Sequence, residues 1–468
     1  MERLKPMDAQ FVDAENEDRH ASFAIASIAV FDGPAPSYDE FYTAIQGRLA
    51  LVPIYRRKLR EVPFGLGPPV WVDDPNFDLR YHIRQTALPA PGGDQQLSNL
   101  IARVMAQRLD RDFPLWEYWL VEGLSEGRWA LISKVHHCMV DGISGTDLYR
   151  VIFDLSPEPP APVADTRPVP AEPTGLGLAA SAAVDMVARP AKGALALAGA
   201  LSRPLSTVRQ ASQTARAVAK LAGSAWPATG SSLSGPISRQ RRYTWARASL
   251  EEVKEIKREL GGTVNDVVLA AISSGFRALL LSRGEQPDPH MVRSLVPVSL
   301  RAPGEENLYG NRVSVVLANL PVHLTDPLDR LTAIRAEMTD IKAVREASAG
   351  EALIALGRVT PYPLASLTVR LAYRLPQREI VTVTTNVPGP QQPLYALGRR
   401  LVEIIPYVPI ATSLRMGVSI FTYCGQMTFG ITGDYATTAD IDVLARGIEH
   451  GVRELAEAVP RHQAGDAP

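Results

Sequence analysis

Residues 135–145 read VHHCMVDGISG, two adjacent histidines shortly ahead of an Asp–Gly pair. The chain holds 8 histidines in 468 residues, so His136 and His137 concentrate a scarce base. An imidazole that titrates near neutrality serves as a general base, a metal ligand or a hydrogen-bonded core ring. A metal needs three or four ligands converging on one point, and neighbours on a strand point to opposite faces. No HExxH and no Cys/His cluster supplies further ligands, so no metal is expected. The residues alone leave two readings open, a buried ring bonded to backbone and a base oriented at a strand end beside Asp141.

The flanking pattern says what positions the pair. EYWLVEGL and RWALISKV read as two strands joined by the polar SEGR turn. Beyond the histidines, Ser144 can cap a helix with Asp147 three residues on, and Leu148, Val151, Ile152 and Leu155 form an apolar stripe. The histidines therefore end a strand, and Asp141-Gly142 turns the chain toward a helix. Upstream, residues 21–31 read as a buried strand, while the segments around Phe41–Leu49 and Leu97–Val104 have helical spacing.

At 468 residues, two domains are the default. A net charge of -1 argues against nucleic acid as the main partner. The two cysteines, Cys138 and Cys424, build no disulfide framework or zinc cluster, which suits a reducing cytoplasm. No signal peptide stands at the N-terminus and no uncharged apolar run reaches spanning length, so membrane contact is expected to be peripheral. Composition shifts at 156–173, where prolines mark a linker. Residues 175–227 are rich in Ala and Leu, with six Lys or Arg against Asp185. They read either as connecting helices or as a basic surface touching lipid.

A second mixed region begins near Ile237. Ser249 and Glu252 cap one helix that stops at Gly261, and Thr263 begins a longer one. VRSLVPVSL, NRVSVVLANL and EIVTVTTNV read as strands, with a helix near 328–346 between the last two. LRMGVSIFTYCGQMTFGITGDY reads as a hairpin turning at Cys424-Gly425, and a final helix covers 439–457. The expected organisation is α/β: mixed sheets flanked by helices in a first domain, 1–155, a Pro/Ala-rich linker with helices, 156–236, and a second domain, 237–460, with a tail at 461–468. NVPGP, with two prolines and a glycine, makes Asn386–Pro390 a stiff loop rather than strand.

HHxxxDG, here His136, His137, Asp141 and Gly142, resembles the motif of the CoA-dependent acyltransferase superfamily, which includes chloramphenicol acetyltransferase and condensation domains. RDFPLWEYWLVEGL, TVNDVVLAA, VPVSLR and TNVPGP, in that order and spacing, narrow the resemblance to the bacterial wax ester synthase/diacylglycerol acyltransferase family. PMDAQF and WVDDPNFDLRYHIR are similar to the family pattern as well.

The resemblance implies two chloramphenicol-acetyltransferase-like domains and transfer of a long-chain acyl group from acyl-CoA to the hydroxyl of diacylglycerol. Wax ester synthesis from a long-chain alcohol, or condensation-type transfer from an acyl carrier protein, are the alternatives it leaves. Acyl-CoA would be a co-substrate, with no cofactor. His137 would be the base and His136 its support. Asp141 would pair with Arg301 structurally rather than complete a triad, and Gly142 would serve the turn. Asn265 and Asp266 would shape the site beyond the capping that an early helical Asp provides. Pro114, Leu115 and Trp116 would flank the acyl channel, and Asn386, Pro388 and Gly389 the CoA entrance. Ser419, Thr422 and Asn386 are possible oxyanion donors among which sequence does not choose. A cytoplasmic enzyme at the inner membrane or lipid inclusions would follow.

Overall fold

The computed structural model describes residues 2–142, 151–158, 161, 172–184, 231–299, 313–345 and 380–465. A small sheet of three strands, β1 (Glu2–Arg3), β3 (Arg57–Arg60) and β4 (Val70–Asp73), runs in the order β1-β4-β3. The first large sheet contains β2 (Ala24–Phe31), β5 (Ile83–Ala87), β6 (Trp116–Glu122), β7 (Trp129–His136), β12 (Tyr395–Ala396) and β13 (Arg399–Tyr407). Its order is β12-β13-β2-β7-β6-β5. The second contains β8 (Arg241–Ser249), β9 (Val292–Ser299), β10 (Val313–Leu320), β11 (Thr382–Val387), β14 (Met416–Tyr423) and β15 (Gln426–Asp434), in the order β10-β9-β11-β14-β15-β8. Both large sheets mix parallel and antiparallel pairs.

Helices α1 (Pro6–Glu17), α2 (Tyr38–Gln46) and α3 (Asp94–Ala106) belong to the first half. A short α4 (Gly175–Val184) follows. Then come α5 (Leu250–Leu260), α6 (Val264–Ser282), α7 (Pro327–Arg345) and α8 (Ile441–Gly465). The caps read from sequence form: Ser249 Oγ accepts the Glu252 amide, and Thr263 and Asp266 make a reciprocal capping box. α6 is long and apolar enough to cross a bilayer, yet 72% of it is buried between α5, α7 and α8. Its composition is that of a core helix.

One strand crosses the expected division of the chain. The boundary at 237 does not separate the sheets, because Tyr395–Tyr407 returns to the first sheet and β13 pairs with β2. Leu401, Ile404, Ile405 and Tyr407 of β13 are buried, and β2 would otherwise present an open edge there. The return also ties the halves together: Arg247 of β8 holds Glu403 of β13 through two 2.9 Å bonds, and Tyr243 donates to the Pro406 carbonyl at 2.6 Å. After the histidine turn, Asp154 pairs with the backbone of Tyr395 and accepts from Arg48 at 2.8 Å, both charges buried.

A second correction concerns NVPGP. Asn386 and Val387 are strand residues of β11, in register with Ile420 and Phe421, and the loop begins at Pro388. Both carry the N–H that a ladder needs, and only proline lacks it. The hairpin turn falls at Cys424-Gly425 as expected, with both residues at positive φ. The helix expected from Ser144 through Asp147, most of the proline-rich linker and residues 185–230 lie outside the described residues.

Candidate active site

β7 lies between β2 and β6, so its C-terminal end is held from both sides. The His136 amide donates to Leu115 O at 3.0 Å, and the His137 amide to Phe23 O at 2.9 Å. A 3-10 turn, His137–Gly142, then leaves the sheet. The two rings diverge at this junction. His136 is 2% exposed, whereas His137 is half-buried.

His136 is committed to the interior. Its Nε2 lies 3.6 Å from Glu15 Oε1, just beyond hydrogen-bond length. Its Nδ1 accepts the Cys138 amide at 3.2 Å and lies 2.9 Å from Cys138 Sγ. An acceptor at Nδ1 assigns the proton to Nε2, facing the carboxylate. Cys138 and His136 have the composition of a nucleophilic thiol–base pair, but the sulfur is 1% exposed. Burial, followed by the charges of Asp8 and Glu15, pushes its thiol well above the ordinary range, so it stays protonated.

Glu15 is the member of this cluster that the sequence reading missed. Burial would raise its carboxyl, but the neighbouring His136, Arg111 and the Phe23 amide outweigh it and bring the pKa down to about 2. Oε1 accepts the Phe23 amide at 3.0 Å, and Oε2 accepts from Arg111 at 2.8 Å. One helical turn earlier on α1, the Phe11 ring lies 4.1 Å from the His137 ring at an interplanar angle of 31°. Spaced i, i+4 on one helix face, Phe11 and Glu15 therefore bracket the two consecutive histidines. The visible signal was that spacing in PMDAQFVDAENE, immediately before the strand that pairs with β7.

Pro114, Leu115 and Trp116 are buried beside this junction. Leu115 supplies the carbonyl that receives His136. The Trp116 indole stacks on Tyr55 and His82 at 4.5 and 4.4 Å and donates to Tyr55 O at 2.8 Å. His82 in turn bonds Trp116 O through Nδ1 at 2.8 Å, and burial first of all lowers its pKa to about 4. Lys134 Nζ reaches the carbonyls of Val104 and Gln107 at the end of α3, at 2.9 and 2.7 Å.

The other sequence-derived residues lie elsewhere. Asp266 is buried and its carboxylate accepts the Thr263 amide at 2.7 Å, a capping role; Asn265 beside it is half-buried. Gly389 N donates to Thr422 Oγ1 at 3.0 Å, and a Cβ there would meet Thr422 O at 2.0 Å, so only glycine allows this approach. Ser419 Oγ donates to Pro406 O at 2.9 Å, a bond that stitches the sheets. The backbones of Asp141 and Gly142 belong to the turn, while their side chains and all of Arg301 lie outside the described residues. Among the described residues, no three His, Cys, Asp or Glu side chains converge as a metal would require.

Residues 4–268 match the family described as wax ester synthase/diacylglycerol acyltransferase catalytic domain, and residues 309–456 match the WS/DGAT C-terminal domain. A Mycobacterium tuberculosis protein described as a probable diacylglycerol O-acyltransferase, tgs1, is 41% identical over 457 residues, covering 97% of this chain and 96% of that protein. The solved wax ester synthase/diacylglycerol acyltransferase from Marinobacter aquaeolei VT8 has a TM-score of 0.69 at 24% identity, covering 98% of this chain and 100% of that one. The first condensation domain of the calcium-dependent antibiotic synthetase has a TM-score of 0.59 at 16% identity, covering 98% and 96%. At these identities the two structures show a shared fold.

Proposed function

The chain belongs to the wax ester synthase/diacylglycerol acyltransferase family, and from that premise we propose that it transfers a long-chain acyl group from acyl-CoA to the free hydroxyl of diacylglycerol. The observation that carries the assignment of roles is the unequal fate of the histidines. His136 has both ring nitrogens directed at Glu15 and Cys138, while His137 stands half-buried at the strand end. His137 is the general base. It takes the proton of the acceptor hydroxyl as that oxygen attacks the thioester carbonyl. The C–O bond forms, the C–S bond breaks, and the proton passes from His137 to the departing sulfur of CoA. General-base assistance contributes ~10²–10⁴-fold, roughly 3–5 kcal/mol of barrier.

Glu15, Phe11 and the Leu115 and Phe23 carbonyls act through geometry, because a base is effective only when its lone pair is aimed at the reacting proton. Asp141 and Arg301 are assigned to a structural ion pair, Gly142 to the turn, and the Asn386–Gly389 segment to the CoA entrance. Asn265 and Asp266 are assigned to shaping the site.

An assay that offers acyl-CoA with diacylglycerol and with hexadecanol in parallel, following free thiol and lipid product, tests the reading. Thiol release matched by triacylglycerol is expected. Faster ester formation with hexadecanol would make the chain a wax ester synthase, and transfer only from an acylated carrier protein would make it a condensation-type enzyme.

A further inference from the structure

The small sheet carries an apolar face that the acyl-transfer chemistry does not use. From Val62 to Val72 the chain reads VPFGLGPPVWV, with no charged residue. Val62, Val70 and Val72 turn inward and pack with Leu178 and Ala182 of α4. Phe64 does the opposite. It is 94% exposed, and its backbone has φ 58 and ψ 15, the left-handed region that costs a residue with a side chain like phenylalanine's. A strained turn thus holds a phenyl ring out in water.

α4 lies against the same turn. A Cβ at Gly175 would touch Pro63 Cγ at 3.6 Å, one at Gly67 would lie 3.2 Å from Ala182 Cβ, and Arg3 donates to Ser181 Oγ at 2.8 Å. The helix, GLGLAASAAV, contains no charge. Leu178 and Ala182 face the cluster, while Leu176, Ala180, Ala183 and Val184 are exposed, Leu176 at 86% and Val184 at 68%. A helix apolar on all sides belongs in a covered setting, and the cluster covers only one side of this one.

We propose that Phe64, Leu176 and Val184 form the face by which this protein docks on an anionic lipid surface. Charge chooses the occupant. The chain that continues from Val184 as far as 227 carries Arg189, Lys192, Arg203, Arg209, Arg216 and Lys220 against Asp185. Apolar insertion together with a basic segment is the pair of signals that holds a protein reversibly on anionic headgroups. The face also meets a need of the proposed reaction, whose acceptor and product dissolve in lipid; for that point alone it rests on the acyl-transfer reading.

Sedimentation of the full chain with phosphatidylglycerol/phosphatidylcholine vesicles, against phosphatidylcholine alone, tests the proposal without acyl transfer. Wild type should bind the anionic vesicles more tightly. Phe64→Ser combined with Leu176→Ser should lower partitioning at least about tenfold with Tm unchanged, since two large side chains lose their insertion. Phe64→Trp should retain binding and add emission that brominated lipid quenches beyond the wild-type level. Turnover on vesicle-borne diacylglycerol should fall with binding in the serine variant, and turnover in detergent should hold. Unchanged vesicle binding by the serine variant would overturn the proposal, as would a wild type that binds neither vesicle. A loss of dimer rather than of vesicle binding would overturn it too, by making the face a contact between copies. Failure of acyl transfer with vesicle binding intact would sink the proposed reaction and leave the docking face standing.

Discussion

β7 and β14 occupy comparable inner positions in the two large sheets, and their surroundings are unlike. β14 is buried along all eight residues, and its polar side chains are hydroxyls with local partners, Ser419 on Pro406 O and Thr422 on the Gly389 amide. β7 buries Lys134 and His136 and ends against Glu15, and the neighbouring β6 holds the buried His82 through Trp116. A hydroxyl satisfied by a neighbouring carbonyl is inexpensive to bury, whereas a charge requires a dedicated partner. The first sheet keeps such groups around the strand end that carries the two histidines. The second sheet spends its precision on packing: α6 and α8 cross so closely that a Cβ at Gly275 would meet Leu444 O at 2.9 Å and Ile448 Cγ1 at 2.8 Å. Around β7 the buried groups include charges and imidazoles, whereas β14 buries only apolar and hydroxyl side chains.

The largest effect that would sharpen this contrast is expected at His137. His137→Ala should lower turnover ~10²–10⁴-fold with Tm and acyl-CoA binding at wild-type values. His136→Ala should retain more activity and lose stability, because it strips Glu15 of a buried partner. A stable, inactive His136→Ala beside an active His137→Ala would reverse the roles.

Next in size are Asp141 and Arg301. Each single neutral substitution should cost roughly 3–5 kcal/mol in denaturant unfolding, and the double substitution less than their sum. A well-folded but inactive Asp141→Asn would move the aspartate from the scaffold into the chemistry.

In the second region, Gly275→Val should destabilise by about 1–3 kcal/mol while the folded fraction keeps its turnover. An unchanged Tm would mean that α6 and α8 can part without loss, and the comparison would fail on that side.

The last test is the pH dependence that His82 and Glu15 give the first region. His82 is lowered from 6.5 to about 4, so the unfolded chain takes up the proton first and stability falls as pH drops from 6.5 to 4. Glu15, lowered from 4.5 to about 2, favours the folded state above 4.5 and loses that contribution as pH drops from 4.5 to 2. Denaturant midpoints should decline through both windows, and His82→Phe should flatten the upper one. A variant that keeps the full slope between 6.5 and 4 would remove His82 as its source.

Much of the framework was legible because local patterning reports local structure. Ser249 and Thr263 announce the starts of α5 and α6, and the Cys424-Gly425 turn announces a hairpin, through bonds that span a few residues. Asn386 and Val387 fall in both the strand pattern EIVTVTTNV and the loop pattern NVPGP, and only the register with β14 places them in β11.

By itself the sequence determined the starts of α5 and α6, the Cys424-Gly425 hairpin, that two adjacent histidines end a strand, and, through HHxxxDG and its companions, the family. Those properties depend on side-chain periodicity, capping chemistry and motif order, all short-range along the chain. Tertiary structure alone decided that Glu15 faces His136, that the Phe11 ring lies against His137, and that Tyr395–Tyr407 returns to complete the first sheet. Those partners lie more than a hundred residues apart in the chain, and for β13 and β2 several hundred. The energy of burying a charge or closing a sheet edge depends on what arrives there in space, and sequence spacing carries no record of that distance.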